Sequence, residues 1–167
     1  TIGNATLIAY DNTPILSTDP WMGGDHYAYF GSWHLPYYIP DNIREDVIKS
    51  KYIWFSHGHP DHINHDSIHL FKNNKILVSE HFGSRIYNDL KSENFNISIL
   101  KDRQWIDLSK NISVMSISTK SQDSILLLRT NNDVFINLND AGPYSSRFIK
   151  KIISKFRRKF LLSISTF

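Results

Sequence analysis

The sequence of 167 residues contains no cysteine. That absence removes disulfides, thiolate metal sites, iron–sulfur clusters and cysteine nucleophiles, and leaves imidazole and carboxylate as the side chains with which this chain can hold a metal. No apolar run approaches the ~18 residues of a membrane span, and no basic-then-apolar leader opens the chain. A cytoplasmic location is the default expectation. Glycine and proline are sparse, at 7 and 6 residues, and no low-complexity tract interrupts the chain. One domain over residues 1–167 is therefore expected. The first residue is not Met, so a processed or fragmentary sequence is expected.

Acidic residues are missing from one segment. Residues 145–160 (SSRFIKKIISKFRRKF) hold seven of the 19 Lys and Arg and no Asp or Glu. The remainder carries 12 basic against 16 acidic groups, so the body is mildly acidic and the overall +3 belongs to one stretch. The apolar residues there, Phe148, Ile152, Phe156 and Phe160, recur every four positions and predict one amphipathic helix. Its cations read as a solvated face rather than as a nucleic-acid surface.

Elsewhere the pattern mixes helices and strands. Thr6–Tyr10 and Ile15–Thr18 read as strands joined by a turn at Asp11-Asn12-Thr13-Pro14. Residues 19–40 form a long aromatic loop, of a length that is usually functional. A helix capped by Asp41 or Asn42 is expected to run to Lys49. Tyr52–Ser56 (YIWFS) is a continuous apolar run, as in strands buried on both faces. A helix over 66–71, a strand at 76–79, a helix over 84–91 and a strand at 97–100 follow. Three further strands are expected at 112–117, 125–130 and 134–138, the last two joined by a turn at Asn131-Asn132-Asp133.

The stretch directly after YIWFS carries the chemistry: His57-Gly58-His59-Pro60-Asp61-His62. His57 and His59 can project together from a strand end toward one metal. Asp61 and His62, on the turn into the next helix, can reach a second. Gly58 is expected to permit an unusual backbone conformation between ligands, and Pro60 to stiffen the turn. Imidazole and carboxylate suit zinc, iron or manganese. His65 and His69 continue the helical spacing from His62 and read as polar surface.

The pattern H-x-H-x-D-H after a buried strand resembles the signature of the metallo-β-lactamase superfamily. Asp19-Pro20-Trp21, Gly24 and Gly31-Ser32-Trp33 resemble the opening of its CMP-N-acetylneuraminate hydroxylase-like branch. Ser56-His57-Gly58-His59-Pro60-Asp61-His62 is similar to that branch's histidine motif, and Ile136-Asn137-Leu138-Asn139-Asp140 to its strand ending in an acid. The resemblance spans about residues 5–145. It implies a four-layer αββα sandwich with two divalent transition metals at one edge, and Asp140 as the carboxylate bridging them. Read from the residues alone, Asp140 is either such a ligand or an Asx turn before Ala141-Gly142-Pro143.

Two histidines of the superfamily pattern have no counterpart, since none of the 8 histidines follows His81. The chain thus reads as the N-terminal part of the full fold, short at its C-terminus, with Asp123 or His81 as substitutes for the middle histidine. The expected metal ligands are His57, His59, Asp61, His62 and Asp140, with Asp61 also catalytic. Trp21, His26, Trp33 and His34 are candidates to line a small-molecule entrance.

Function follows as alternatives. The first is a metal-dependent hydrolase using a metal-bound water, with zinc as the first expectation. The second is a metal-binding domain or partner in an iron-dependent hydroxylase or oxygenase system. A nucleic-acid-processing module or an inactive binding module comes after these.

Overall fold

The computed structural model describes residues 2–131, 133–142, 146–154 and 159–163. Strands β1 (Ile8–Asp11) and β2 (Thr13–Thr18) form an antiparallel hairpin. Asn12 turns it in the left-handed region (φ 63°), which Asn tolerates better than most residues. β2, β3 (Tyr52–Phe55), β4 (Lys75–Ser79) and β5 (Ile97–Leu100) then run parallel in that order. Parallel neighbours need a crossover. Helices α1 (Asp41–Lys49), α2 (His65–Ile68, extended by a helical turn at His69–Phe71) and α3 (Arg85–Ser92) lie in these connections.

The second sheet has the order β10-β9-β8-β7-β6. It comprises β6 (Trp105–Asp107), β7 (Ser113–Ser118), β8 (Ser124–Arg129), β9 (Asp133–Asn137) and β10 (Lys159–Ser163). Its pairs are antiparallel except β9 with β10, which run parallel on either side of α4 (Ser146–Ser154).

Side-chain alternation explains the layering. On β3, Ile53 and Phe55 turn toward the helices and pack with Val47, Ile68, Phe71 and Leu90. Trp54 turns the other way and joins Leu16, Leu77 and Leu100 against Val114 and Leu126 of the second sheet. The outer face of that sheet, with Met115, Ile117, Leu127 and Ile136, packs against Ile152 and Phe148 of α4. The layers are helix, sheet, sheet, helix, as the expected αββα sandwich requires. Among the described residues, no helix is long and apolar enough to cross a membrane.

Three local expectations differ. The final helix ends at Ser154 instead of continuing to Phe160, and Lys159–Ser163 is a strand paired with β9. Phe148 and Ile152 keep the helical stripe for one turn; beyond that, strand pairing overrides the four-residue spacing. Phe156, with Asn132 and Pro143 of the expected turns, lies outside the described residues. β6 is an edge strand of three residues, too short to show alternation. At α1, Pro40 occupies the capping position and no side chain caps the helix, so Asp41 sits in its first turn instead.

Trp54 is wholly buried where the sheets meet. Trp54→Ala is expected to lower unfolding stability by about 3–5 kcal/mol, measured by urea denaturation, because neighbours from two sheets cannot close the cavity.

Candidate metal centre

β2, β3 and β9 all end at one edge of the sandwich, and each delivers polar residues just beyond its last residue. C-terminal strand edges of this kind are where αβ folds place their sites. β3 leads into Ser56 and His57, β2 into Asp19, and β9 into Asn139 and Asp140. α2 begins next to them, with Asn64 at its cap accepting the Ser67 N–H (2.9 Å).

His57 is buried, and its Nε2 lies 2.8 Å from His59 Nδ1 and 3.6 Å from Asp140 Oδ2. These three side chains each offer one ligand atom within 4.8 Å of the others. A tetrahedral site with bonds near 2.0–2.1 Å spaces its ligand atoms by about 3.4 Å, so the grouping is of the right size. His62 is also buried, its Nε2 standing 3.5 Å from Asp61 Oδ2 and 3.4 Å from the same Asp140 Oδ2. The two imidazoles lie with ring centroids 4.1 Å apart.

Both rings are held from the opposite nitrogen. Ser56 Oγ lies 2.9 Å from His57 Nδ1 and 3.3 Å from His62 Nδ1. Asp19 Oδ2 lies 3.4 Å from His62 Nδ1. A carboxylate or hydroxyl behind a histidine fixes the tautomer that presents Nε2 as a lone pair, the arrangement seen behind metal-bound imidazoles.

Electrostatics separate the two halves. Burial, aided by the positive charge of His62, lowers the His57 pKa below its ordinary 6.5 and favours the neutral ring. Burial would also lower His62, but Asp19, Asp140 and Asp61 outweigh it and raise that pKa to about 10. The hydrogen-bonding neighbour His62 holds Asp140 below the ordinary carboxyl value, against the effect of burial.

Most of the expected residues converge. Asp61 is buried within this group, and Asp140 turns its carboxylate to the histidines while Asn137, not Asp140, makes the local turn by accepting the Asn139 N–H (3.1 Å). Asp123 approaches His57 on the Nδ1 side (3.9 Å), away from His59 and Asp140. His81 Nε2 is paired with Ser124 Oγ (2.9 Å). His65 and His69 are exposed and stack edge-to-face with each other.

Gly58 corrects an expectation. It lies outside the left-handed region, and a Cβ there would meet only Ile86 at ordinary contact distance (3.5 Å). The glycine required by geometry is Gly23, at φ +63° with Leu35 Cδ1 2.9 Å from the position of a Cβ.

The entrance candidates divide. Trp21 is buried and donates its indole N–H to the His26 carbonyl (2.7 Å), so it packs the loop from within. His26 Nδ1 lies 2.8 Å from Ser67 Oγ. Trp33 and His34 are exposed, Trp33 against the Tyr29 ring and His34 edge-on to Tyr27.

Asp19 is the participant that sequence reasoning passed over. Its carboxylate is inaccessible to solvent, accepting the Ser56 N–H on Oδ1 (2.8 Å) and Asn139 Nδ2–H on Oδ2 (2.5 Å). The available signal was its place directly after a strand, beside Pro20-Trp21.

No family model matches the chain. Over 107 residues it is 27% identical to a cytidine monophosphate-N-acetylneuraminic acid hydroxylase of Asterias rubens, covering 60% of this chain and 16% of that protein. Among solved structures it is similar to CmlA, a diiron beta-hydroxylase from Streptomyces venezuelae, with TM-score 0.71 and 12% identity over 94% of this chain and 32% of that one. The chain has the metallo-β-lactamase fold. It is also similar to the isothiocyanate hydrolase from Delia radicum gut bacteria (TM-score 0.62, 16% identity, 94% and 67% covered). The chain thus spans under a third of CmlA and about a sixth of the hydroxylase. Members of the metallo-β-lactamase fold named here are hydrolases and hydroxylases, and CmlA holds two irons.

The pKa of His62 gives a pH test on metal-free protein. A histidine raised from 6.5 to about 10 on folding stabilises fully below pH 6.5 and loses that contribution as pH rises through 10. Urea unfolding between pH 7 and 9 should therefore show stability falling with pH, on the order of 1 kcal/mol per unit. Asp19→Asn should flatten the slope.

Proposed function

We propose that this chain is a metal-dependent hydrolase of small molecules, with two divalent ions held at the edge of the sandwich. The observation that carries this reading is a single oxygen, Asp140 Oδ2, facing His57 Nε2 at 3.6 Å and His62 Nε2 at 3.4 Å. The donor set fits. His62 Nε2 is buried, 3.5 Å from Asp61 Oδ2 and 3.4 Å from Asp140 Oδ2. A buried nitrogen facing two carboxylates calls for a cation at that position, and a divalent ion would take the place of a ring proton there.

His57, His59 and Asp140 would hold one ion, and His62, Asp61 and Asp140 the other, with zinc favoured by the nitrogen-rich first group. A divalent metal held there would lower the pKa of its bound water toward about 7 and polarise a substrate oxygen. The chain's own residues do the rest. Ser56 and Asp19 keep the rings aimed. Asp61 accepts hydrogen bonds on both oxygens, from Tyr29 and Asn4, so its plane is fixed and it serves to orient the attacking water. Trp33 and Phe30, exposed on the loop above, offer apolar surface to a substrate.

A second reading is supported by the two hydroxylases to which the chain is similar. The same nitrogen and carboxylate ligands accept iron, and oxidative chemistry would then follow.

Elemental analysis of purified protein decides between these readings. Two equivalents of zinc with hydrolysis of activated esters is the expected result, dropping by at least one equivalent in His57→Ala. Two equivalents of iron would replace hydrolysis by the oxidative reading. Less than about half an equivalent of any transition metal, unchanged in His57→Ala, would overturn both.

A further inference from the structure

We propose that Tyr29 and Asn4 are positioning residues that fix the Asp61 carboxylate and thereby set the affinity of the His62 half of the centre for its ion. The inference rests on the dimetal reading above and adds two residues that lie far from the histidine motif in sequence.

Tyr29 donates its hydroxyl to Asp61 Oδ1 at 2.8 Å, and Asn4 donates Nδ2–H to Oδ2 at 2.9 Å. Asn4 Nδ2 also lies 3.3 Å from the Asp61 carbonyl, so one amide holds both ends of the residue. A carboxylate with one donor on each oxygen cannot rotate about its last torsion without losing a bond, and loss of a buried bond leaves an unpaired donor. Held thus, Oδ2 stays 3.5 Å from His62 Nε2.

The two donors are themselves immobilised. Tyr29, Phe30 and Gly31 have consecutive positive φ angles of 48°, 58° and 89°. A left-handed residue other than glycine costs roughly 1–2 kcal/mol, so two in succession persist only where other contacts hold them. Here Ala28 and Trp33 bond each other across the tip (3.0 and 3.2 Å), and Ser32 donates both its N–H (3.2 Å) and its hydroxyl (2.7 Å) to the Tyr29 carbonyl. The conformation turns the Tyr29 hydroxyl onto Asp61 and leaves Phe30 fully in solvent. Asn4 is buried in a turn closed by Ile2 N–H to the Thr6 carbonyl (2.8 Å), and the Tyr37 hydroxyl ties Gly3 of that turn to the same aromatic loop (2.7 Å). Loop and N-terminal turn therefore brace each other around one carboxylate.

The test is titration of the chelator-stripped chain with cobalt(II), followed by its visible bands. Wild type should take two equivalents. Tyr29→Phe keeps the ring against Trp33 and removes only the hydroxyl. It should bind the first equivalent normally and the second about 10–100-fold more weakly, with altered bands for that ion. Asn4→Ser should do the same and provides the measurement should Tyr29→Phe fail to fold. Tyr10→Phe, which removes a tyrosine hydroxyl bonded to Asp46 outside the site, should titrate as wild type. Wild-type affinity and bands for both equivalents in Tyr29→Phe and Asn4→Ser would overturn the inference while leaving the dimetal reading intact. No cobalt uptake by wild type would overturn both.

Discussion

The structure depends on a carboxylate that water does not reach. Asp19 is fully buried, and a buried charge is tolerated only when paired and hydrogen-bonded. Its partners come from three directions: the Ser56 N–H beyond β3, the Asn139 amide beyond β9, and the His62 imidazole in the turn that leads to α2. Its own N–H donates to the Trp54 carbonyl (2.8 Å), and its φ of 39° turns the chain sharply off β2. One side chain thus ties both sheets and the motif segment together. The same arrangement that makes Asp19 tolerable aligns His62, so the folding constraint and the site geometry are one network.

The charge balance around that network explains why its two halves differ. His57 faces Ser56, His59, Asp140 at 3.6 Å and Asp123 at 3.9 Å, and burial, aided by the charge of His62, favours its neutral form. His62 faces Asp19, Asp61 and Asp140, and without a metal the cheapest way to neutralise that excess is a proton on the ring. On the proposed dimetal reading a divalent cation would neutralise it more completely through the Nε2 lone pair. Proton and metal would then compete for one buried position, which is the usual coupling between metal affinity and pH.

What could be read from the sequence followed the range of the interactions. The YIWFS run and the histidine motif are local, and both the β3 strand and the convergence of His57, His59, Asp61 and His62 were legible from spacing. Asp140 could be singled out because it follows an apolar strand and matches the acid of the resembled family, although its orientation toward both histidines required the sheet packing. Asp19, Asn4 and Tyr29 were not assigned because each acts across 32 or more residues, on partners that no period or motif links to it. The end of α4 failed for a related reason. Phe148 and Ile152 do face the sheet, but the same four-residue spacing extended into a segment that pairs with β9 instead.

The aromatic loop is more than a cover over the histidines, because its attachments run through the motif helix. Asn64, which caps α2, donates to the Tyr27 carbonyl (2.8 Å), and Ser67 Oγ accepts the Met22 N–H (3.1 Å) while lying 2.8 Å from His26 Nδ1. α2 is a single turn and has little intrinsic stability of its own. Its position must then come from these tertiary bonds and from Ile68 and Phe71 in the core. A displacement of the loop would consequently pull on the turn that carries Asp61 and His62. Loop and motif segment are thus coupled through backbone and hydrogen bonds already in place.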